Sequence, residues 1–111
     1  MTTRPALFVV KATIRPELDS AFNDWYDTVR SREAAQVPGC LGMRRYQAMA
    51  LETPHAGSES CQSMVCYEFD SEASLRAFVE SDTLRAMTRD YNSRLGGSGD
   101  RARLAYRQIY P

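Results

Sequence analysis

The chain has 111 residues, 43% hydrophobic and 25% charged, with a formal net charge of zero. That is the size and balance of one ordinary globular domain, 1–111, long enough to bury a real core. No global field draws it to nucleic acid or to an anionic membrane, and its first sixteen residues, MTTRPALFVVKATIRP, lack the apolar run of a signal peptide or a spanning helix. A cytoplasmic protein is therefore expected, with neither nucleic acid nor membrane among its partners.

Three cysteines, Cys40, Cys61 and Cys66, cannot all pair within one chain, and no C-x-x-C is present. Reduced thiols are the simplest reading. A single histidine, His55, argues against a histidine-based metal or haem site, and GGSG (96–99), read as a flexible connector, precedes a strand rather than a helix and so makes no phosphate cradle. No metal and no cofactor are expected. The bases are lopsided, thirteen arginines to one lysine, Lys11; composition bias explains this, although arginine also suits planar recognition of carboxylates.

In chain order, ALFVVKATI (6–14) predicts a strand apolar on both faces, hence covered on both. Arg15-Pro16 ends it and Pro16-Glu17 opens a helix. Leu18, Ala21, Phe22, Trp25 and Val29 then recur at helical spacing as its core stripe, until Pro38-Gly39 turns the chain. LGMRRYQAMA (41–50) and CQSMVCYEFD (61–70) predict two strands of a hairpin, joined across a loop (51–60) in which His55 is a surface residue. Ser71 or Asp70 caps the next helix, with Leu75, Phe78 and Val79 inward. Ser81-Asp82 marks a break or a fresh cap, after which Leu84, Met87, Tyr91 and Leu95 continue a helical stripe. RLAYRQIY (103–110) is the closing strand.

The order β-α-β-β-α-β is that of an α+β ferredoxin-like sandwich with a four-stranded antiparallel sheet. Its helices cover one face. The other exposes a band such as Val9, Met43 or Val65, depending on pleat, and soluble monomers rarely leave large apolar patches open. A homodimer through the sheet face is the economical solution.

The residues that hint at chemistry lie in NDWYDTVR (23–30). Trp25 falls on the core stripe, with an indole N–H that seeks a partner at the core's polar margin. Asn23, Tyr26 and Arg30 follow at i, i+3, i+7 on the adjacent flank, with Asp27 beside them. They line a cleft mouth or, alternatively, form a solvated face of local ion pairs. On the second strand Arg45 faces away from Arg44 and Tyr46, and whichever arginine meets the helices needs a partner, with Glu68 and Asp70 as candidates. Tyr46, Tyr67 and Tyr106 either line a pocket or fill the sheet face.

From Trp25 to Tyr46 the pattern W-Y-D-x-x-[basic]…V-P-G-C-L-G-M-R-R-Y resembles the EthD-like branch of the dimeric α/β-barrel superfamily. The resemblance implies two ferredoxin-like subunits with sheets packed face to face, and a small-molecule pocket between sheet and helices. It also implies relatives that are cofactor-independent monooxygenases, cyclases, isomerases or haem-degrading proteins. One departure matters: EthD-like proteins usually carry a histidine where this chain has Arg30. Arginine binds an anion or polarises a carbonyl but does not shuttle protons. The catalytic candidates are therefore Tyr26, Arg30 and Asp27, and the substrate-binding candidates Asn23, Trp25, Arg45, Tyr46 and Tyr67. Three functions stay open: a cofactor-free enzyme on an apolar aromatic or carbonyl compound, a non-catalytic binder of such a compound, and a structural or regulatory dimer.

Overall fold

A computed structural model of the chain describes residues 3–51, 53–95 and 100–111; the 96–99 connector lies outside them. Strand β1 is Ala6–Ala12. A short 3-10 turn, Pro16–Leu18, leads into one long helix, α1, built from Asp19–Trp25, a π-helical turn Tyr26–Arg30, and Ser31–Ala35. Strands β2 (Cys40–Gln47) and β3 (Ser63–Phe69) follow, then helices α2 (Glu72–Val79) and α3 (Asp82–Leu95), and last β4 (Arg101–Arg107). The strands form one antiparallel sheet in the order β2-β3-β1-β4, the ferredoxin-like α+β arrangement expected from the sequence.

Local chemistry sets the boundaries. Ser71 caps α2, its hydroxyl accepting from the Ser74 N–H at 3.1 Å, and Ser81 does the same for Leu84 at the break before α3. At Gly39 φ is +79°, and a Cβ there would lie 2.4 Å from the Ser74 hydroxyl. Only glycine turns the chain out of α1 and into β2 at that point.

The core lies between the sheet and the helices: Phe8, Val10, Phe22, Trp25, Val65, Tyr67, Phe69, Phe78, Met87 and Tyr91 are all buried there. The pleat corrects two members of the expected open band. Val65 points into the core and Met43 packs against it, because both pair in register with residues of the helix side. By register the open face carries Leu7, Val9, Met64, Cys66, Leu104 and Tyr106 instead, as the pairing of Val9 with Cys66 and Leu104 requires, although Val9 itself is only 3% exposed rather than open. Val79 is also exposed, not inward. All three cysteines are free thiols, and Cys61 precedes β3 rather than lying in it.

Candidate functional site

The π turn decides which side chains of α1 face the sheet. An α-helix advances about 100° per residue, so Val29 should follow Trp25 into the core. A π turn is wider and inserts one extra residue, and such turns are frequent at functional sites. The buried face is carried round accordingly: Val29 is 39% exposed, while Tyr26, Arg30, Ala34 and Val37 are buried. Arg30 is 2% exposed, the most buried charge among the described residues. Its Nη1 donates to Glu33 at 3.2 Å and its Nη2 to the Met87 carbonyl at 3.0 Å. Its guanidinium lies 4.3 Å from the centre of the Trp25 ring.

Arg30 and Tyr26 line a cavity between sheet and helices, with Tyr67 of β3, Phe78 of α2, Met87, Thr88 and Tyr91 of α3, and Arg101 and Arg103 of β4. Its volume is about 30 Å³, room for a water molecule. Burial pushes the Tyr26 phenol above its usual pKa, partly offset by the Arg30 charge. Burial pushes Tyr67 well above the usual value, and the neighbouring Tyr26 adds to the shift. Both phenols are thus neutral at physiological pH and present as hydrogen-bond donors.

The other candidates sort differently. Arg45 faces the helices, but its partners come from α1 rather than from Glu68 or Asp70. It donates to Asn23 and pairs with Asp27 at 2.5 Å. Glu68 pairs instead with Arg44 on the open face, at 3.4 Å. The expectation that Asp27 and Asn23 share a cleft mouth with Tyr26 is therefore corrected: the π turn sends Tyr26 inward and leaves Asp27 outside. Asn23, Arg45 and Tyr46 border a separate, larger cleft at the end of β2, near Phe22 and Gln62. Tyr46 is half exposed and lies opposite Met64 on the open side of the sheet, so it does not join Tyr67. Trp25 backs the cavity with its ring face under the Arg30 guanidinium and an edge-to-face contact with Tyr26, but its buried indole N–H has no acceptor among the described residues, contrary to the margin position expected for it. His55 is exposed in its loop.

Sequence reasoning missed Arg101 and Arg103. The signal was present in R-A-R, since alternate residues of a strand share a face. It was obscured because the predicted strand started at the second of them.

A protein-family model, antibiotic biosynthesis monooxygenase (ABM), matches residues 5–90, from β1 through most of α3. The chain belongs to the ABM family. ABM-type and EthD-type proteins both occur among solved structures of this fold, in agreement with the superfamily that the W-Y…R-R-Y pattern suggested. An ethyl tert-butyl ether D (EthD) family protein from Bacillus halodurans superposes with a TM-score of 0.66 at 18% identity, covering 96% of this chain and 100% of that one. A putative antibiotic biosynthesis monooxygenase from Nitrosomonas europaea gives 0.65 at 14%, covering 100% and 96%. The heme-degrader MhuD from Mycobacterium tuberculosis, with two hemes bound in its active site, gives 0.65 at 12%, covering 96% and 97%. At these identities the likeness is one of fold. No curated protein matches the chain. No helix among the described residues is long and apolar enough to cross a membrane.

Proposed function

We propose that this ABM-family chain works as a cytoplasmic homodimer, each 1–111 unit binding a small, largely apolar aromatic or carbonyl compound between sheet and helices. It acts on that compound without a cofactor, as a monooxygenase, cyclase or isomerase. The observation that carries this reading is the pair of buried, neutral phenols, Tyr26 and Tyr67, held beside a buried guanidinium on one cavity. Neutral donors fixed in a low-dielectric site stabilise negative charge as it develops on a carbonyl or phenolic oxygen. Arg30 supplies a positive field that does not reorganise, since Glu33 and the Met87 carbonyl hold it in place. Tyr26 serves as donor rather than base, because burial opposes its phenolate. Asp27 holds Arg45 and does not reach the phenols.

Turnover of enolisable ketones and phenols, followed as product formed with and without oxygen, tests the reading. Tyr26→Phe and Arg30→Ala should each lower the rate about a hundredfold, the usual effect of losing one oxyanion donor. Unchanged rates in both variants would remove these roles.

One observation favours a second reading, a structural or regulatory dimer whose sheet–helix gap is filled by its own side chains. The cavity volume of about 30 Å³ leaves space for a water, not an aromatic ring. Native mass spectrometry separates the two by reporting subunit number and retained small molecules together. A dimer that retains no small molecule selects the structural reading.

A further inference from the structure

Positive charge collects without counter-charge at the mouth of the cavity. Edge strand β4 turns Arg101 and Arg103 toward the helices, two residues apart on one face, opposite Ala12 and Val10 of β1. Arg103 Nη2 donates to the Thr88 hydroxyl at 2.8 Å, and the Arg101 guanidinium lies 4.4 Å from the centre of the Tyr91 ring. Both partners are on α3, so the two side chains bridge strand to helix where the cavity opens.

Every other helix-side arginine has a carboxylate: Arg30 has Glu33, Arg45 has Asp27, and Arg107 has Glu72. Among the described residues, Arg101 and Arg103 have none within ion-pairing distance, and the cavity lining holds three arginines and no acid. Partial desolvation and the like charge of Arg101 both loosen the Arg103 proton. In a chain of zero net charge, this is a local excess that an anion would relieve.

We propose that Arg101 and Arg103 are the anion receptor of this cavity, and that its ligand class is an aromatic carboxylate. The inference rests on the small-molecule reading above and narrows it. A carboxylate matches the guanidinium fork in two parallel hydrogen bonds and is a stronger acceptor than the neutral Thr88 hydroxyl. Exchanging Thr88 for the ligand withdraws the Arg103 bridge, and this opens the cavity beyond the volume of one water. The aromatic body then meets Tyr91, Phe78 and Met87, with the phenols of Tyr26 and Tyr67 at the inner end.

Calorimetric titration at low salt with 2-naphthoate and its neutral isostere 2-naphthamide tests this. The carboxylate should bind at least about tenfold more tightly than the amide, and more weakly as salt is added. An Arg101→Gln/Arg103→Gln double variant should lose about ten- to hundredfold in carboxylate affinity while leaving the amide unchanged. Arg103→Lys should retain part of the binding. Thr88→Val, which frees the Arg103 guanidinium, should tighten the carboxylate about two- to fivefold, an effect that a purely structural bridge would not produce. Equal binding of carboxylate and amide, or undiminished carboxylate binding by the double variant, removes the anion receptor and leaves the small-molecule cavity standing. Binding of neither compound overturns both.

Discussion

At Arg30 a full charge is withdrawn from water and held by one carboxylate, one backbone carbonyl and the face of an indole. Two substitutions separate these supports. Arg30→Met keeps most of the volume but leaves the Met87 carbonyl without its donor, and should cost about 1–2 kcal/mol. Arg30→Ala adds a cavity beneath Trp25 and should cost about 2–4 kcal/mol. Urea denaturation midpoints at constant slope give both numbers, and equal midpoints for the two variants would show that packing under Trp25 is immaterial. The phenols make a further residue-scale prediction. Tyr26 and Tyr67 titrate higher in the folded chain than their ordinary value of 10.0. Above that pH the unfolded chain releases protons that the folded chain keeps. Their contribution is therefore fully present below pH 10 and is lost as pH rises through the folded-state values. Thermal unfolding followed from neutral to strongly alkaline pH should show a falling midpoint, and Tyr67→Phe should flatten that fall. An unaltered slope in the variant would mean that Tyr67 ionises freely.

The π turn is the element on which the site depends. Residues 22, 25 and 26 mark one buried phase of α1 and residues 30, 34 and 37 another, offset by roughly the 100° of a single residue. Deleting Val29, the exposed residue of that turn, should convert it to α-helix and keep both halves of the core in phase. The protein should still fold, with Tm within about 5 °C of the parent, while Tyr26 and Arg30 move to i, i+3 and ligand binding fails. A collapse of Tm would show that the turn is required for folding instead. This element also explains why the sequence was legible in some places and not in others. The order of strands and helices along the chain, the Ser71 and Ser81 caps and the Pro-Gly turn all follow from local chemistry, and each is found where its residues point. The stripe with Val29 inward assumed a uniform 3.6-residue period, and no residue in YDTVR announces the extra one. The i, i+3, i+7 spacing, with the resemblance to EthD-like proteins beside it, points to Tyr26 and Arg30 without showing that both are buried. That an inward arginine needs a partner is legible in the sequence, but that Arg45 finds Asp27 rather than Glu68 or Asp70 belongs to tertiary packing. Arg101 and Arg103 gain meaning only when β4 is set beside β1 and opposite α3.

For the whole molecule, the open face of the sheet carries the largest consequence. Leu7, Val9, Met64, Cys66, Leu104 and Tyr106 share it, with Lys11, Arg44 and Glu68 among them. Leu104 and Tyr106 are left 36% and 51% exposed. A continuous apolar surface rimmed by charge is the composition of a protein interface. A two-fold axis through this face would let Leu104 of one subunit meet the same surface of the other, and the charges would remain at the rim. Leu104→Arg places a guanidinium within that contact, yet on a single subunit it would stand in water at almost no cost. Sedimentation velocity at micromolar concentration should therefore show the parent chain as a dimer and Leu104→Arg as a folded monomer with native circular dichroism. If the parent sediments as a monomer, the face is solvated, and the site must be complete within one subunit. If Leu104→Arg remains dimeric, the two-fold contact runs through another surface, and the apolar band needs a different occupant.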